Sequence, residues 1–142
     1  MKSMVVLIDT NVIIDYLTER NGFFESSRNV MEICSSKDVQ GYVAFHSIPN
    51  IWFILRKKPD GERRKMLKNI CTILTVTGAS HKDVINAIDT DNFKDFEDCL
   101  QDKCATVVQA DYIVTRNVDD FKNSMTKIIA PLDFCKLFAN RA

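Results

Sequence analysis

Apolar positions in this chain come in short unbroken blocks separated by longer stretches of helical spacing. Met4–Ile8 is a continuous apolar run, the pattern of a strand buried on both faces of a parallel sheet. Asp9-Thr10-Asn11 then supplies helix-start chemistry ahead of Val12-Ile13-Ile14 and Tyr16-Leu17. The spacing predicts a helix from Phe23 to Ser35, with Phe24, Val30, Ile33 and Cys34 on its apolar side. Gly41 precedes a short strand, Tyr42 to Phe45. Ser47 is placed to cap a helix that has Pro49 in its first turn and runs through Ile51, Trp52, Ile54 and Leu55. Further along, the pattern predicts a helix from Gly61 to Leu74, a strand from Leu74 to Val76, and a helix from Asp83 to Ile88 capped by Ser80. A longer helix follows from Phe93 to Val108, then strands at Tyr112–Val114 and Lys127–Ile129, and a last helix from Pro131 through Phe138. Short apolar strands alternating with helical segments imply βαβ units, hence an α/β fold with a mostly parallel sheet covered on both faces. Ligands of such sheets bind outside the carboxyl ends of the strands. That rule singles out Asp9, Ser47 with its neighbours, and Thr115 to Asn117.

The 142 residues amount to about one domain's worth of chain, expected to span 1–142. With 46% hydrophobic and 27% charged residues, a core of normal size can form and disorder is disfavoured. Nineteen basic residues balance nineteen acidic ones, which argues against a basic nucleic-acid coat protein. The balance is not local. Residues 56–68 hold seven basic side chains against two acidic, and residues 89–102 hold six acids and one lysine. Five cysteines with no CxxC spacing, and only His46 and His81, give neither a disulfide framework nor a recognisable zinc site. Reduced thiols in the cytoplasm are the expectation. The first apolar run ends at Asp9, too soon for a signal sequence or a membrane span.

Three polar segments carry candidate chemistry. Asp9 directly follows a buried strand, where a helix cap and a ligand-binding carboxylate are equally at home. In the acidic run, Asp95, Asp98 and Asp102 fall within a narrow helical arc, while Phe93, Phe96, Leu100, Cys104 and Val107 form the expected buried stripe. Such acids also suit a solvated helix face. Thr115-Arg116-Asn117, with Asp119 and Asp120 after it, follows the Tyr112–Val114 strand and would otherwise be a polar turn. If the three segments converge, the clustered carboxylates need a counter-cation. Oxygen ligands with few histidines suit Mg2+ or Mn2+.

Ile8-Asp9-Thr10-Asn11 with Val12-Ile13-Ile14-Asp15 resembles the opening of a PIN domain. Asp95-Phe96-Glu97-Asp98-Cys99-Leu100-Gln101, followed by Ala110 to Asn117 and Asp120-Phe121, resembles its carboxyl-terminal block, so that the resemblance covers nearly the whole chain. It implies a three-layer α/β/α PIN-like fold and a metal-dependent endoribonuclease. Similarity to the VapC toxins further implies an RNA substrate, an antitoxin partner and a homodimer. Carried onto this sequence, the catalytic set is Asp9, Asp98, Asp95 and Asn117, with Asp9 and Asp98 binding the metal. Asn11, Asn50, Thr115, Arg116 and Asp120 support it. The family's four-acid pattern is broken twice, since Asn50 and Asn117 stand at acidic positions and offer a carbonyl oxygen without charge. Those two asparagines motivate the alternative of a PIN scaffold that binds RNA or a protein without turnover.

The basic segment adds Arg56, Lys57, Lys58, Arg63 and Arg64 as candidate contacts to an RNA backbone, against the plainer expectation of a solvated turn and helix face. Arg116 is placed either to meet a phosphate or to pair with an acid. Trp52 is placed either in the core or against a base. A phosphotransferase with Asp9 as nucleophile is disfavoured, because the position two residues on is Asn11 and no Gly-rich phosphate loop is present.

Overall fold

A computed structural model describes residues 3–93 and 95–139. Five strands form one sheet: β1 (Met4–Ile8), β2 (Val39–Ala44), β3 (Thr75–Thr77), β4 (Tyr112–Val114) and β5 (Lys127–Ile129). Their order is β3-β2-β1-β4-β5, and all four pairings are parallel. The helices are α1 (Thr10–Leu17), α2 (Phe24–Cys34), α3 (Ser47–Ile54), α4 (Asp60–Ile73), α5 (His81–Ile88), α6 (Phe96–Val107) and α7 (Pro131–Leu137). A short 3-10 turn covers Val118–Phe121. None of the described helices is long and apolar enough to cross a membrane.

Alternation along β1 builds the three layers. Val6 and Ile8 point into a large core with Val12, Val30, Ile51, Ile70 and Phe134, drawn from α1, α2, α3, α4 and α7. Leu7 points the other way and packs with Cys104, Ala105, Ile113 and Phe121, under α6 and the 3-10 turn. Each face of the central strand is thus covered, which is why its sequence is apolar throughout rather than alternating. Gly41 lies inside β2 rather than ahead of it. A Cβ there would come within 2.6 Å of Leu74 Cδ2 and 2.9 Å of Cys34 Sγ, so the strand has room for hydrogen only where α2 and α4 press on it.

Three expectations fail for identifiable reasons. The long helix starts at Phe96, not Phe93, because Asp95 caps it by accepting from Glu97 N–H at 2.7 Å; Lys94 lies outside the described residues. Its buried face is also rotated. Phe96 and Val107 are about half exposed, while Cys99, Gln101 and Asp102 go inside. Polar partners drive that choice, since Gln101 reaches across to α1 and α3 and Asp102 accepts a hydrogen bond from Ser124. Asp102 is therefore engaged away from Asp98. Ser47, read as a cap, lies within α3, whose cap position is His46 with no side-chain bond.

Candidate active site

The sheet order reverses at β1, with β2 on one side and β4 on the other. Crevices at such switch points, outside the strands' carboxyl ends, are where α/β sheets bind ligands. Ile8 pairs with Val114 in register, so the residues that follow, Asp9 and Thr115, emerge side by side. Asp9 caps α1 and is also tied to β4's end. Its Oδ1 accepts from Thr10 N–H at 2.8 Å and starts α1, while Oδ2 accepts from the Thr115 hydroxyl at 2.7 Å. Thr115 Oγ1 in turn accepts from the Asn117 backbone N–H at 3.0 Å and from Asn11 Nδ2 at 3.3 Å.

The head of α6 closes the crevice. Asp95, Glu97 and Asp98 each bring a carboxylate oxygen into a cluster in which these atoms lie within 4.8 Å of one another. Glu97 is the best anchored. Its Oε1 lies 3.2 Å from His46 Nε2, as an ion pair rather than an aligned hydrogen bond, and accepts from Gln101 Nε2 at 3.0 Å. Gln101 is fully buried and ties three elements together, with Nε2 also 3.1 Å from Thr10 Oγ1 and 2.9 Å from Ser47 Oγ. The two hydroxyls share a hydrogen bond of 2.6 Å.

Electrostatics register the crowding. Burial pushes the Asp9 carboxyl up to about 6, the Thr115 hydroxyl restrains it, and the charge of Glu97 adds to the rise. Asp98 is pushed up to about 8, by burial first and then by the charges of Asp9 and Glu97. Burial would raise Glu97 as well, but its bonds from His46 and Gln101 outweigh that and hold it low. Burial pulls the His46 imidazolium down, yet contacts with Cys104 and Glu97 leave it near 9. Burial and neighbouring charge thus favour the protonated form of Asp98, while His46 and Gln101 favour the charged form of Glu97.

Linkage turns these shifts into a stability prediction. Asp9 and Asp98 bind protons more tightly folded than unfolded, so the stability they contribute is full below the ordinary Asp value of 3.8 and is lost as pH rises through about 6 and about 8. His46 acts in the same direction, up to about 9. The metal-free melting temperature is expected to fall by roughly 5 °C or more between about pH 5 and pH 8. Scanning calorimetry in EDTA checks this, and a flat or rising profile would contradict it.

The remaining expected residues are spread more widely. The Arg116 backbone N–H donates to Asn11 Oδ1 at 3.4 Å, but its guanidinium turns away to make two bonds with Asp15, at 2.6 and 3.3 Å, and lies 4.4 Å over the Phe23 ring. Of its two readings, pairing with an acid is the one that holds. Asn117 is exposed and joins the site through its backbone. Asn50 is exposed on α3, one turn beyond Ser47, and Asp120 is half-buried in the 3-10 turn. Among the described residues, no hydrogen bond or ion pair links either side chain to Asp9 or Asp98. Along the basic segment, Arg56 lies over Phe53, and Arg63 and Arg64 lie over Trp52, at 3.8 and 5.5 Å. Lys58 pairs with Glu62 and Arg64 with Asp60, while Lys57 is exposed. Trp52 is half-buried beneath the two guanidinium groups, neither core nor open platform. Sequence reasoning gave Glu97, His46, Thr10 and Gln101 no role in the site, although Thr10, Glu97 and Gln101 stand in the PIN-like blocks and Glu97 and Gln101 have i, i+4 spacing.

A family model described as PIN domain matches residues 5–119. No curated protein matches the sequence at a significant level. Among solved structures, the chain is similar to one in VapBC2 from Rickettsia felis bound to a promoter DNA fragment, with 16% identity and a TM-score of 0.66, covering 89% of this chain and 98% of that one. A toxin–antitoxin complex from Klebsiella pneumoniae gives 16% identity and a TM-score of 0.67 over 89% and 97% of the two chains. VapBC-1 from nontypeable Haemophilus influenzae gives 14% identity and a TM-score of 0.66 over 91% and 99%.

Proposed function

This chain belongs to the PIN domain family, and from that premise we propose that it is a divalent-metal-dependent endoribonuclease acting in the cytoplasm as the toxin of a toxin–antitoxin pair. The meeting of Asp9 with the head of α6 carries this reading. Carboxyls pushed up by burial and by neighbouring acidic charges are a site short of positive charge, and oxygen donors fit a hard dication such as Mg2+ or Mn2+. Asp9 and Asp98 would hold the ion, with Asp95 and the Asn117 carbonyl oxygen as further donors. When bound, the ion supplies an acidified water and offsets the charge that develops on a phosphodiester during hydrolysis.

The protein's own residues do the rest. Thr115 and the Thr10 N–H hold Asp9 in one orientation before any ligand arrives, so little ordering remains to be done on binding. Asp98 must give up its proton to act as a ligand, so affinity for the ion rises with pH through about 8. The toxin assignment draws on the structural neighbours, which include toxin–antitoxin complexes. The test is incubation of the purified chain with single-stranded RNA. Cleavage is expected with Mn2+ or Mg2+ and none in EDTA; EDTA-resistant cleavage would overturn the proposal. The two asparagines favour a second reading, a scaffold that binds RNA without cutting it, for which metal-loaded protein would retain RNA intact.

The strip from Arg56 to Arg64 would lead RNA towards the crevice through its phosphates. Replacing Lys57 and Lys58 by Gln is expected to lower RNA affinity and to shrink the slope of log affinity against log salt by about 1.4, each lost single-strand contact being worth about 0.7. Fluorescence anisotropy across a salt series measures it, and an unchanged slope would remove these lysines from the interface.

A further inference from the structure

Helix α3 carries no acidic side chain. Asn50 is neutral and exposed, and no bond among the described residues ties its side chain to Asp9 or Asp98. Glu97 stands one residue before Asp98, with its carboxylate in the same cluster as those of Asp98 and Asp95. It differs from a solvated helix acid in three ways. One oxygen is clamped by His46 at 3.2 Å and Gln101 at 3.0 Å. Gln101 is itself fully buried and fixed to α1 and α3 through Thr10 and Ser47, so Glu97 is oriented by the same network that orients the crevice wall. Finally, Gln101 Oε1 is buried without a hydrogen-bond partner among the described residues, so the side chain that holds Glu97 has an acceptor still to be met.

We propose that Glu97 is a further carboxylate ligand of the cation beside Asp9, Asp98 and Asp95, standing in for the acid that Asn50 lacks, with His46 and Gln101 as the residues that position it. His46 and Gln101 hold one of its oxygens, and the carboxylate also meets Asp98, the residue with which it would share the ion. The geometry explains how a chain with only two of the family's acidic positions filled keeps a charge sufficient for a dication. This inference rests on the metal-dependent reading above, and the experiment separates the two.

Mn2+ binding to the full-length chain is measured by isothermal titration calorimetry, with melting temperatures of the metal-free proteins as a check on folding. Glu97→Gln keeps an oxygen for Gln101 and is expected to weaken Mn2+ at least about 10-fold while melting within a few degrees of the wild type. Asn50→Ala is expected to bind Mn2+ within about 2-fold of it, against the larger loss typical of a ligand. Glu97→Asp, which keeps the charge but shortens the reach, should fall between the wild type and Glu97→Gln. Wild-type affinity in Glu97→Gln, or a loss in Asn50→Ala as large as in Glu97→Gln, overturns the assignment of Glu97. A wild-type chain that binds no Mn2+ overturns the metal-dependent reading and this inference with it. Binding that Asp98→Asn abolishes but Glu97→Gln spares overturns this inference alone.

Discussion

Replacing Asp9 by asparagine is expected to reduce RNA cleavage by at least about 10³-fold, equivalent to about 4 kcal/mol in the activation barrier. The shape of the side chain is unchanged, and its oxygen can still accept from Thr10 N–H, so α1 keeps its cap. What is lost is the charge, and with it the hard donor at the end of β1. The amide would also turn N–H towards Thr115 Oγ1, which already accepts from Asn117 and Asn11. Stability should move the other way. Burial and the Glu97 charge raise the Asp9 carboxyl to about 6, so at neutral pH the metal-free protein carries a charge it would be more stable without. Asp9→Asn should therefore melt higher than the wild type in EDTA at about pH 7.5, and the gap should close near pH 5, where Asp9 is already protonated. Loss of function with gain of stability marks a residue kept for chemistry. Cleavage within 10-fold of the wild type, or a lower melting temperature in EDTA, would contradict this account.

The second large effect is structural. Asp15 has a side chain only 2% exposed, and its partner across the fold is Arg116, in a two-pronged bond at 2.6 and 3.3 Å. Arg116→Ala leaves that carboxylate buried and unpaired, and is expected to cost about 3–5 kcal/mol. In a chain of this size that is a fall of roughly 10 °C in melting temperature. Arg116→Lys should recover only part, because an ammonium cannot form the two-pronged bond or lie flat on Phe23. Asp15→Leu combined with Arg116→Met should recover most of the loss, since an apolar pair of similar volume leaves no charge to solvate. Thermal denaturation of the four proteins decides the matter. A melting temperature within 2 °C of the wild type for Arg116→Ala would mean that Asp15 finds water or another partner.

How much of this was readable beforehand divides along physical lines. The strands are legible because burial on both faces demands unbroken apolar runs, and β1 and β4 have them. From strand ends follow Asp9 and Thr115, since a parallel sheet exposes its carboxyl edge. Local pattern could not show that α6 turns Gln101 and Asp102 inward and leaves Phe96 half exposed. Hydrophobic periodicity assumes that apolar side chains win the core, whereas here partners on α1, α3 and the loop after the 3-10 turn bond Gln101 Nε2 and Asp102 Oδ1 inside it. Ser47 misleads for the same reason. Serine ahead of proline reads as a cap, and only the packing of α3 against α1 shows its hydroxyl spent on Thr10. The basic segment was legible as charge but not as geometry, because guanidinium groups lying on Phe53 and Trp52 are a matter of side-chain contact.

Helix α1 is fastened at both ends to the same loop. At its start Asp9 receives the Thr115 hydroxyl, and two turns later Asp15 receives the Arg116 guanidinium. Neither segment can swing out alone without breaking a buried bond. Local opening of the crevice wall therefore takes the helix and the loop together as one cooperative unit. A molecule that pried the Asp9 carboxylate loose would have to melt that unit, whereas one that only entered the crevice would find it already shaped.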